Sequence, residues 1–340
     1  MKQWAWFLLL CAGIAVAQHA SPAPSAKDTA SRKRLEPVEV VETKDMASLV
    51  IGPFQCDTDG NLYVRRSDSS DRSAQSPIRK YSSKGDMLVK MSPADADLQY
   101  VAGPFFVGSE GDVYWAAWKP RTKDTFVLHF DKAGKFVSKT KLGADVYPDG
   151  PLAVFPSGEM IVAGLEGEAD SLKPYTGIFD SSGTLMRRLS LADDQRIKDA
   201  VEAGDSAFVT TTGTGNLAVS FGQIVMGQDG NAYLSRRMLP TVIYAINPRG
   251  EVVRRMTVDS GDLFFAGMHE NRGRLAILFR NFGDSESLVK IVDEQSGEET
   301  ATYDLNKALG WGFVCYSPPR LTFLSTGPNH KATFTYMEPK

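Results

Sequence analysis

The apolar residues of this chain recur in a repeated phrase. An apolar run, a turn that contains Gly and a second apolar run follow one another in each copy. The copies are "FQCDTDGNLYV" at Phe54–Val64, "FFVGSEGDVYW" at Phe105–Trp115, "LAVFPSGEMIV" at Leu152–Val162 and "IVMGQDGNAYL" at Ile224–Leu234. Apolar and polar residues that alternate on both sides of an Asp-Gly or Ser-Gly turn predict an antiparallel β-hairpin.

A third apolar run, a second Gly turn and a fourth run follow each phrase, as in "VIYAINPRGE" and "VVRRMTV" after Thr241. Each unit therefore predicts a four-stranded meander. Five complete units start near residues 53, 104, 151, 223 and 263, and a sixth from Phe313 supplies only three strands. The lone run at Val38–Thr43 can supply the fourth by pairing with Lys331–Tyr336, which would remove two exposed sheet edges. The expected fold is all-β, a six-bladed β-propeller whose last blade is closed by an N-terminal strand.

The N-terminal residues have the pattern of a secretory signal. Lys2 gives a short positive region, an apolar stretch follows, and Ala15-Val16-Ala17 fits a small-x-small cleavage site. We therefore expect a signal peptide at 1–17, a flexible Ala/Ser/Pro-rich linker at 18–37 and the propeller at 38–340. The alternative is a lipoprotein anchor at Cys11, but Leu9 and Leu10 precede that cysteine instead of small residues.

Charge and hydropathy narrow the class of partner. The formal net charge of −3 gives no electrostatic footprint for nucleic acid. The apolar stretch of the leader is short for a membrane span, and no later stretch is longer. The sequence predicts a secreted or periplasmic protein with no membrane span and no nucleic-acid partner.

The connections between strands differ in length in a regular way. The turns between the first and second strands, and between the third and fourth, are uniformly tight. The connections from second to third strand and from unit to unit are long and dissimilar, and alternation places them all on one side of the disc. The longest is 192–223, whose opening "DDQRIKDAVEAG" predicts a short helix from Asp193 to Gly204 that is either a lid or inert decoration.

Aromatic and arginine side chains mark this long-loop side as the candidate binding surface. Aromatics beside guanidinium groups suit a glycan, a peptide or a carboxylate-bearing ligand. The alternative for each residue is that the aromatic is blade core and the arginine is solvated. The candidate ligand-binding residues are Tyr100, Trp115, Trp118, Tyr147, Arg65, Arg236, Arg237, Arg280 and Trp311.

The repeated D-x-x-G-N/D and φ-Y-φ motif resembles the six-bladed propellers of the NHL, SMP-30/gluconolactonase and TolB-like families over residues 38–338. The SMP-30-like lactonases imply a metal-binding Glu at the entry to the first strand, where this chain has Ile51. The equivalent positions of the next units are Ala102, Asp149 and Phe221, and one carboxylate does not make a hard-cation site. We expect no metal and no cofactor.

The two cysteines of the predicted mature chain occupy matching positions. Cys56 and Cys315 each follow a Phe by two residues in the first strands of units one and six. A disulfide there would fit an exported protein, but matching strands can lie beyond the ~7 Å Cα limit. Buried thiols and a disulfide both remain open.

These observations favour an exported binding or interaction module with a small-molecule, glycan or protein partner on the long-loop side. The alternative is a hydrolase or lyase that acts in the channel and lacks the usual metal-binding Glu, with Asp149 as the candidate acid-base residue. Whether the protein is an enzyme stays undecided from the sequence, and the interaction module is favoured.

Overall fold

The computed structural model describes residues 32–45, 49–67, 76–96, 102–119, 122–144, 146–148, 150–167, 173–189, 223–236, 240–281, 286–305, 312–326 and 331–340. Within these ranges the chain forms twenty-five β-strands and a 3₁₀ turn at Pro93–Ala96. The predicted signal peptide, most of the predicted linker and the predicted helix at 193–204 lie outside the described residues. No helix in the described ranges is long and apolar enough to cross a membrane.

The strands fall into six consecutive units of sequence. The N-terminal strand β1 is Lys33–Glu42. Unit one is β2 Leu49–Cys56, β3 Leu62–Ser67, β4 Ile78–Tyr81 and β5 Met87–Met91. Unit two is β6 Ala102–Val107, β7 Val113–Lys119, β8 Asp124–Phe130 and β9 Phe136–Lys141. Unit three is β10 Val146–Tyr147, β11 Leu152–Val154, β12 Met160–Glu166, β13 Lys173–Phe179 and β14 Leu185–Arg188.

Unit four is β15 Ile224–Met226, β16 Ala232–Arg236, β17 Thr241–Ile246 and β18 Val252–Val258. Unit five is β19 Phe264–Asn271, β20 Arg274–Arg280, β21 Ser287–Asp293 and β22 Glu299–Asp304. Unit six is β23 Gly312–Ser317, β24 Arg320–Thr326 and β25 Ala332–Pro339. Units one, two and four are separate four-stranded antiparallel sheets, and the short β10 adds a fifth strand to unit three.

The repeated Gly turns close the hairpins as the sequence predicts. In unit one the Asp57 carboxylate accepts hydrogen bonds from the backbone N–H groups of Asp59 and Asn61, at 3.1 and 2.9 Å. Gly60 has a φ of 78°, in the left-handed region where a side chain would be strained. Asp and Gly at these two positions therefore build a tight turn that reverses the strand.

The N-terminal strand lies beside the last strand of the chain. Glu39, Val40 and Val41 pair antiparallel with Tyr336, Thr335 and Phe334 of β25. At its other edge, Lys33 and Arg34 pair parallel with the end of β22, so units five and six form one eight-stranded sheet.

The strand also begins earlier than its predicted start at Val38. Composition placed 18–37 in a linker, whereas the structure has Lys33–Pro37 inside β1. The physical reason is Leu35, which is 1% exposed and packs in one cluster with Leu278, Val289 and Met337 from units five and six. One buried Leu anchors a stretch that is otherwise polar.

The hydrophobic cores lie between consecutive units. Tyr63 of unit one packs in one cluster with Trp115 of unit two, and Val225 of unit four with Phe279 of unit five. Leu62 of unit one shares a further cluster with Val314 and Phe334 of unit six. The first strands contact one another in the order β2, β6, β11, β15, β19 and β23, and β23 contacts β2. Antiparallel sheets that pack face to face around their first strands form a β-propeller.

Candidate functional site

Antiparallel pairing places the tight turns of every unit at one end of the sheets and the longer connections at the other end. We call the second end the long-loop face. Most of its connections lie outside the described residues, and so do the site candidates Tyr100, Asp149, Arg237 and Trp311. The candidates that can be placed are Arg65, Trp115, Trp118, Tyr147, Arg280 and the backbone of Arg236.

Arg65 and Trp115 lie in the core between units one and two. Trp115 is 0% exposed, and its indole Nε1–H donates to the Gly103 carbonyl at 3.1 Å. Arg65 donates to the same carbonyl at 3.2 Å, and its guanidinium lies 5.8 Å from the Trp115 ring centroid. Burial lowers the pKa of Arg65 to about 10. These two side chains therefore hold two units together, and a ligand contact for them stays a prediction.

The next residue, Arg66, points to the opposite face of the same sheet because successive strand residues alternate. It is fully buried and donates to the Thr43 hydroxyl and the Tyr81 hydroxyl, both at 3.0 Å. It also contacts Asp45 Oδ1 at 3.4 Å, while Arg79 donates to Asp45 Oδ2. Tyr81 donates to the same Oδ2 at 2.9 Å. We call Thr43, Asp45, Arg66, Arg79 and Tyr81 the Asp45 cluster.

The Asp45 cluster ties the end of β1 to unit one. Arg66 and Arg79 are 0% and 3% exposed, and two arginines in such a position need an anionic partner. Asp45 supplies one from just beyond β1. The sequence held a signal for this cluster, since "IRKY" places Arg79 in a strand that begins with Ile78 and ends with Tyr81. Nothing in the sequence indicated which carboxylate would pair with Arg79.

Trp118 and Tyr147 come together at the long-loop face. Trp118 lies near the end of the second strand of unit two, and Tyr147 lies in β10 at the entry to unit three. Their ring centroids are 4.9 Å apart with the rings edge to face. Both side chains are half-buried. This pair is the part of the predicted aromatic surface that the structure assembles.

The remaining arginines take different positions. Arg280 is half-buried at the end of β20, in register with Phe264 and Ser287. Arg236 ends β16, opposite Val242, and only its backbone is described. Both positions lie at second-strand ends, as the repeat predicts.

Polar side chains connect the first strands of neighbouring units around the axis. The Gln55 amide donates to the Phe105 carbonyl and accepts from the Val107 N–H, both at 2.7 Å. Gln223 accepts from the Met268 N–H at 2.8 Å. These amides bond to backbone groups of first strands that pair with one neighbour only within the described residues.

His269 makes the same kind of link between units five and six. Its Nε2 lies 2.9 Å from the Phe313 carbonyl oxygen, and its ring meets the Phe313 ring edge to face. Burial lowers the pKa of His269 to about 4, so the imidazole is neutral at physiological pH. His269 lies within β19.

A disulfide joins Cys56 and Cys315 in the first strands of units one and six. Their Cα atoms are 5.4 Å apart, which is inside the range that a disulfide spans. The sequence left this pairing open because strand spacing at the axis cannot be read from residue types.

Three carboxyl groups lie near one another at the tight-turn end of units four and five: those of Glu270, Glu294 and Asp229. Glu294 is 1% exposed and accepts from the backbone N–H groups of Gln228 and Asp229, both at 3.3 Å. Glu270 accepts from the Gly273 N–H at 2.8 Å. Burial, with Glu294 and Asp229 nearby, raises the pKa of Glu270 to about 7. In the described part of the chain, no group of three or more His, Cys, Asp or Glu side chains could hold a metal ion.

No protein-family model and no curated protein matches this chain. Among solved structures, a protein of unknown function from Bacteroides caccae is 13% identical, with a TM-score of 0.47 over 74% of this chain and 80% of that one. The N10 neuraminidase-like protein of a little yellow-shouldered bat isolate is 11% identical, with a TM-score of 0.44 over 89% and 99%. BBS1N, solved in complex with ARL6DN, is 12% identical, with a TM-score of 0.47 over 91% and 98%.

The geometry separates two kinds of candidate residue. One kind makes buried contacts between units and comprises Arg65, Arg66 and Trp115. Trp118 and Tyr147 offer aromatic surface at the end of the molecule where the long connections emerge, and Glu270 offers a carboxyl group with a raised pKa at the other end.

Proposed function

We propose that this chain is a six-bladed β-propeller, closed by β1, that acts as an exported binding or interaction module. Its blade motif supports a place beside the NHL, SMP-30 and TolB-like propellers. The ring of contacts from β2 through β23 and back to β2 supports six blades. The pairing of β1 with β25 and the core shared by units six and one support closure.

The ligand or partner binds on the long-loop face around the channel. The single observation that carries this proposal is the half-buried Trp118–Tyr147 pair on the long-loop face, between the second strand of unit two and the entry to unit three. Two rings at right angles present both a face and an edge, which suits a sugar ring, an aromatic side chain or a peptide. A small molecule, a glycan or a protein loop would fit this surface.

Export is supported by two independent features. The N-terminal residues have the pattern of a secretory signal. The Cys56–Cys315 disulfide suits an oxidising compartment, since cytosolic proteins keep their thiols reduced.

A thermal-shift screen of the mature protein against sugars and short aromatic or acidic peptides tests the binding proposal. A ligand that binds only the native state at 100 times its Kd adds about 2.7 kcal/mol of apparent stability. Trp118→Ala should abolish the shift, and Trp118→Phe should retain part of it. A shift that survives Trp118→Ala and Tyr147→Ala together would place the ligand elsewhere.

The alternative is a hydrolase or lyase of lactonase-like type that acts at the channel. Asp149 lies outside the described residues, and Glu270 is the described carboxyl group that best suits acid-base chemistry. A carboxyl with a pKa near 7 can both donate and accept a proton at neutral pH. Turnover of a lactone panel that is lost in Glu270→Gln and kept in Trp118→Ala would favour the enzyme over the binding module.

A further inference from the structure

Trp118 has a buried polar neighbour inside its own sheet. It lies directly opposite Thr125 of β8, and residues that face each other across an antiparallel pair project from the same side of the sheet. Thr125 is fully buried, and its hydroxyl donates to the backbone carbonyl of Val146 in β10. A side chain of unit two is therefore bonded to the strand that leads into unit three.

β10 depends on such a bond because it is very short. Its two residues, Val146 and Tyr147, pair with the end of β12. Strands of globular proteins usually have about 3–10 residues, so two paired residues hold a strand weakly. The bond from Thr125 adds a contact from the neighbouring unit, one residue before Tyr147.

Two glycines let the chain at Tyr147 lie close to the sheets on either side. A Cβ at Gly164 of β12 would overlap the Tyr147 carbonyl oxygen. A Cβ at Gly103 of β6 would come within 2.9 Å of the Pro148 carbonyl oxygen. Glycine inside a strand marks a place where another backbone approaches closely. The backbone of Tyr147 and Pro148 is therefore packed against both unit two and unit three.

These contacts close a circuit around the aromatic pair. Trp118 lies opposite Thr125, whose hydroxyl bonds the Val146 carbonyl. Tyr147 follows Val146, and its ring meets Trp118 edge to face. We propose that Thr125 is a positioning residue: its hydroxyl holds Tyr147 against Trp118 and so preforms the surface that the ligand meets. Its role in binding rests on the function proposed above for the long-loop face.

The first experiment needs no ligand. Fluorine NMR of the full mature chain labelled with fluorotryptophan reports the surroundings of each indole, and the resonance absent from Trp118→Phe belongs to Trp118. Tyr147→Leu removes the neighbouring ring and gives the chemical shift of the unpaired indole. Thr125→Val removes the hydroxyl and nearly keeps the shape of the side chain. It should move the Trp118 resonance at least about half of the way to the unpaired position.

Three controls separate positioning from general damage to the core. Thr125→Ser keeps the hydroxyl and should leave the Trp118 resonance near its wild-type position. Thr241→Val changes another fully buried Thr, at the start of the third strand of unit four, and should not move it. Trp115, which is fully buried on the opposite side of β7, should keep its own resonance in every folded variant.

Gly164→Ala tests the same placement from the other side. The added methyl group would displace Tyr147 and should move the Trp118 resonance in the same direction as Thr125→Val. Gly108→Ala is its control, because a Cβ there stays 3.7 Å from the Asp112 carbonyl oxygen and has room. If Thr125→Val fails to fold, as loss of the Trp115 resonance would show, Gly164→Ala decides: a moved Trp118 resonance supports the proposal and an unmoved one overturns it.

The second experiment measures binding, with the sugars and short peptides of the thermal-shift screen as probes. For a probe whose shift is lost in Trp118→Ala, Thr125→Val should raise Kd by about fivefold to tenfold, because the Tyr147 ring then has to be ordered when the probe binds. Thr125→Ser should change Kd by less than about twofold.

The outcomes distinguish the positioning role from the binding function. An unmoved Trp118 resonance in folded Thr125→Val, or equal movement in Thr125→Val and Thr125→Ser, would overturn the proposal. An unmoved resonance in Tyr147→Leu would show that the rings are apart in solution and would overturn it as well. If the resonances move as expected and no probe binds, Thr125 does place the two rings, and the binding function is the part that is refuted.

Discussion

Cys56 and Cys315 are 259 positions apart in the chain, and a disulfide joins them between units one and six. β1 pairs with β25 of unit six, and the Asp45 cluster ties the end of β1 to unit one. One boundary between units thus carries a covalent bond near the axis, a buried charged cluster and a strand contributed from the other end of the chain. The two ends of the chain meet within the last sheet, between β1 and β25, and the disulfide and the Asp45 cluster fix that sheet against unit one.

Removal of the disulfide should destabilise the protein without changing its fold. Cys56→Ser and Cys315→Ser should each lower the free energy of unfolding by about 2–5 kcal/mol, since the bond closes a long loop and restricts the unfolded chain. Urea unfolding followed by Trp fluorescence measures this change. The double variant should match the single variants, and an unchanged unfolding midpoint under reducing conditions would contradict the prediction.

Asp45→Asn should destabilise the boundary between β1 and unit one. The substitution leaves two buried arginines without the carboxylate that Arg66, Arg79 and Tyr81 share, which costs about 3–5 kcal/mol in comparable buried pairs. Asp86→Asn is the matched control, because Asp86 pairs with Lys44 at the surface and such pairs contribute about 0–1 kcal/mol. Similar losses in the two variants, measured by urea unfolding, would refute a special role for Asp45.

Stability should depend on pH through Glu270. Its folded-state pKa, about 7, lies above its ordinary value of 4.5, so the folded state holds the proton more tightly than the unfolded state. The contribution of Glu270 is therefore largest below pH 4.5 and is lost as the pH rises towards 7. His269 acts in the opposite direction between its ordinary pKa of 6.5 and about 4, because the buried ring resists protonation.

The Glu270 contribution is measured as a difference between variants. Glu270→Gln should become more stable relative to wild type as the pH rises from 4.5 to 7, whereas Glu298→Gln in an exposed turn should track wild type. Thermal unfolding at half-unit pH steps gives both curves. A constant difference between Glu270→Gln and wild type across this range would show that Glu270 does not titrate there.

Two buried tyrosines should respond in opposite ways to loss of the hydroxyl. The Tyr175 hydroxyl is buried and has no hydrogen-bond partner among the described residues, so Tyr175→Phe should stabilise the protein by about 1–3 kcal/mol. The Tyr81 hydroxyl bonds Asp45 and Arg66, so Tyr81→Phe should destabilise it. Both changes remove one oxygen from a buried ring, which makes each variant the control for the other. Destabilisation by Tyr175→Phe would mean that its hydroxyl has a partner in solution.

The repeat of apolar runs and Gly turns was enough to predict the strands, their order and the pairing of the two ends. The period-two alternation did not assign each residue to a face, and so the sequence left open whether Trp115 is blade core or contacts a ligand. The structure buries both Arg65 and Trp115 between units. Which side of a blade is buried depends on twist and on the neighbouring blade, and neither is a property of the strand's own sequence.

Contacts between segments distant in the chain were the hardest to predict. Asp45 meets Arg79 only because β1 ends beside unit one, and Leu35 is buried only because units five and six meet around it. A composition window reads Lys33–Pro37 as linker because one apolar residue among charges does not predict a strand. The close approach of Trp118 and Tyr147 likewise depends on how β10 enters unit three.

The measurement that tests the account most directly is hydrogen exchange along the seam between β1 and β25. In the full mature chain we predict that backbone amides of Glu39–Glu42 are protected as strongly as those of Thr333–Tyr336, with which they pair. Protection of Thr333–Tyr336 together with rapid, unprotected exchange across Glu39–Glu42 would contradict closure by the N-terminal strand, and with it the six-bladed ring.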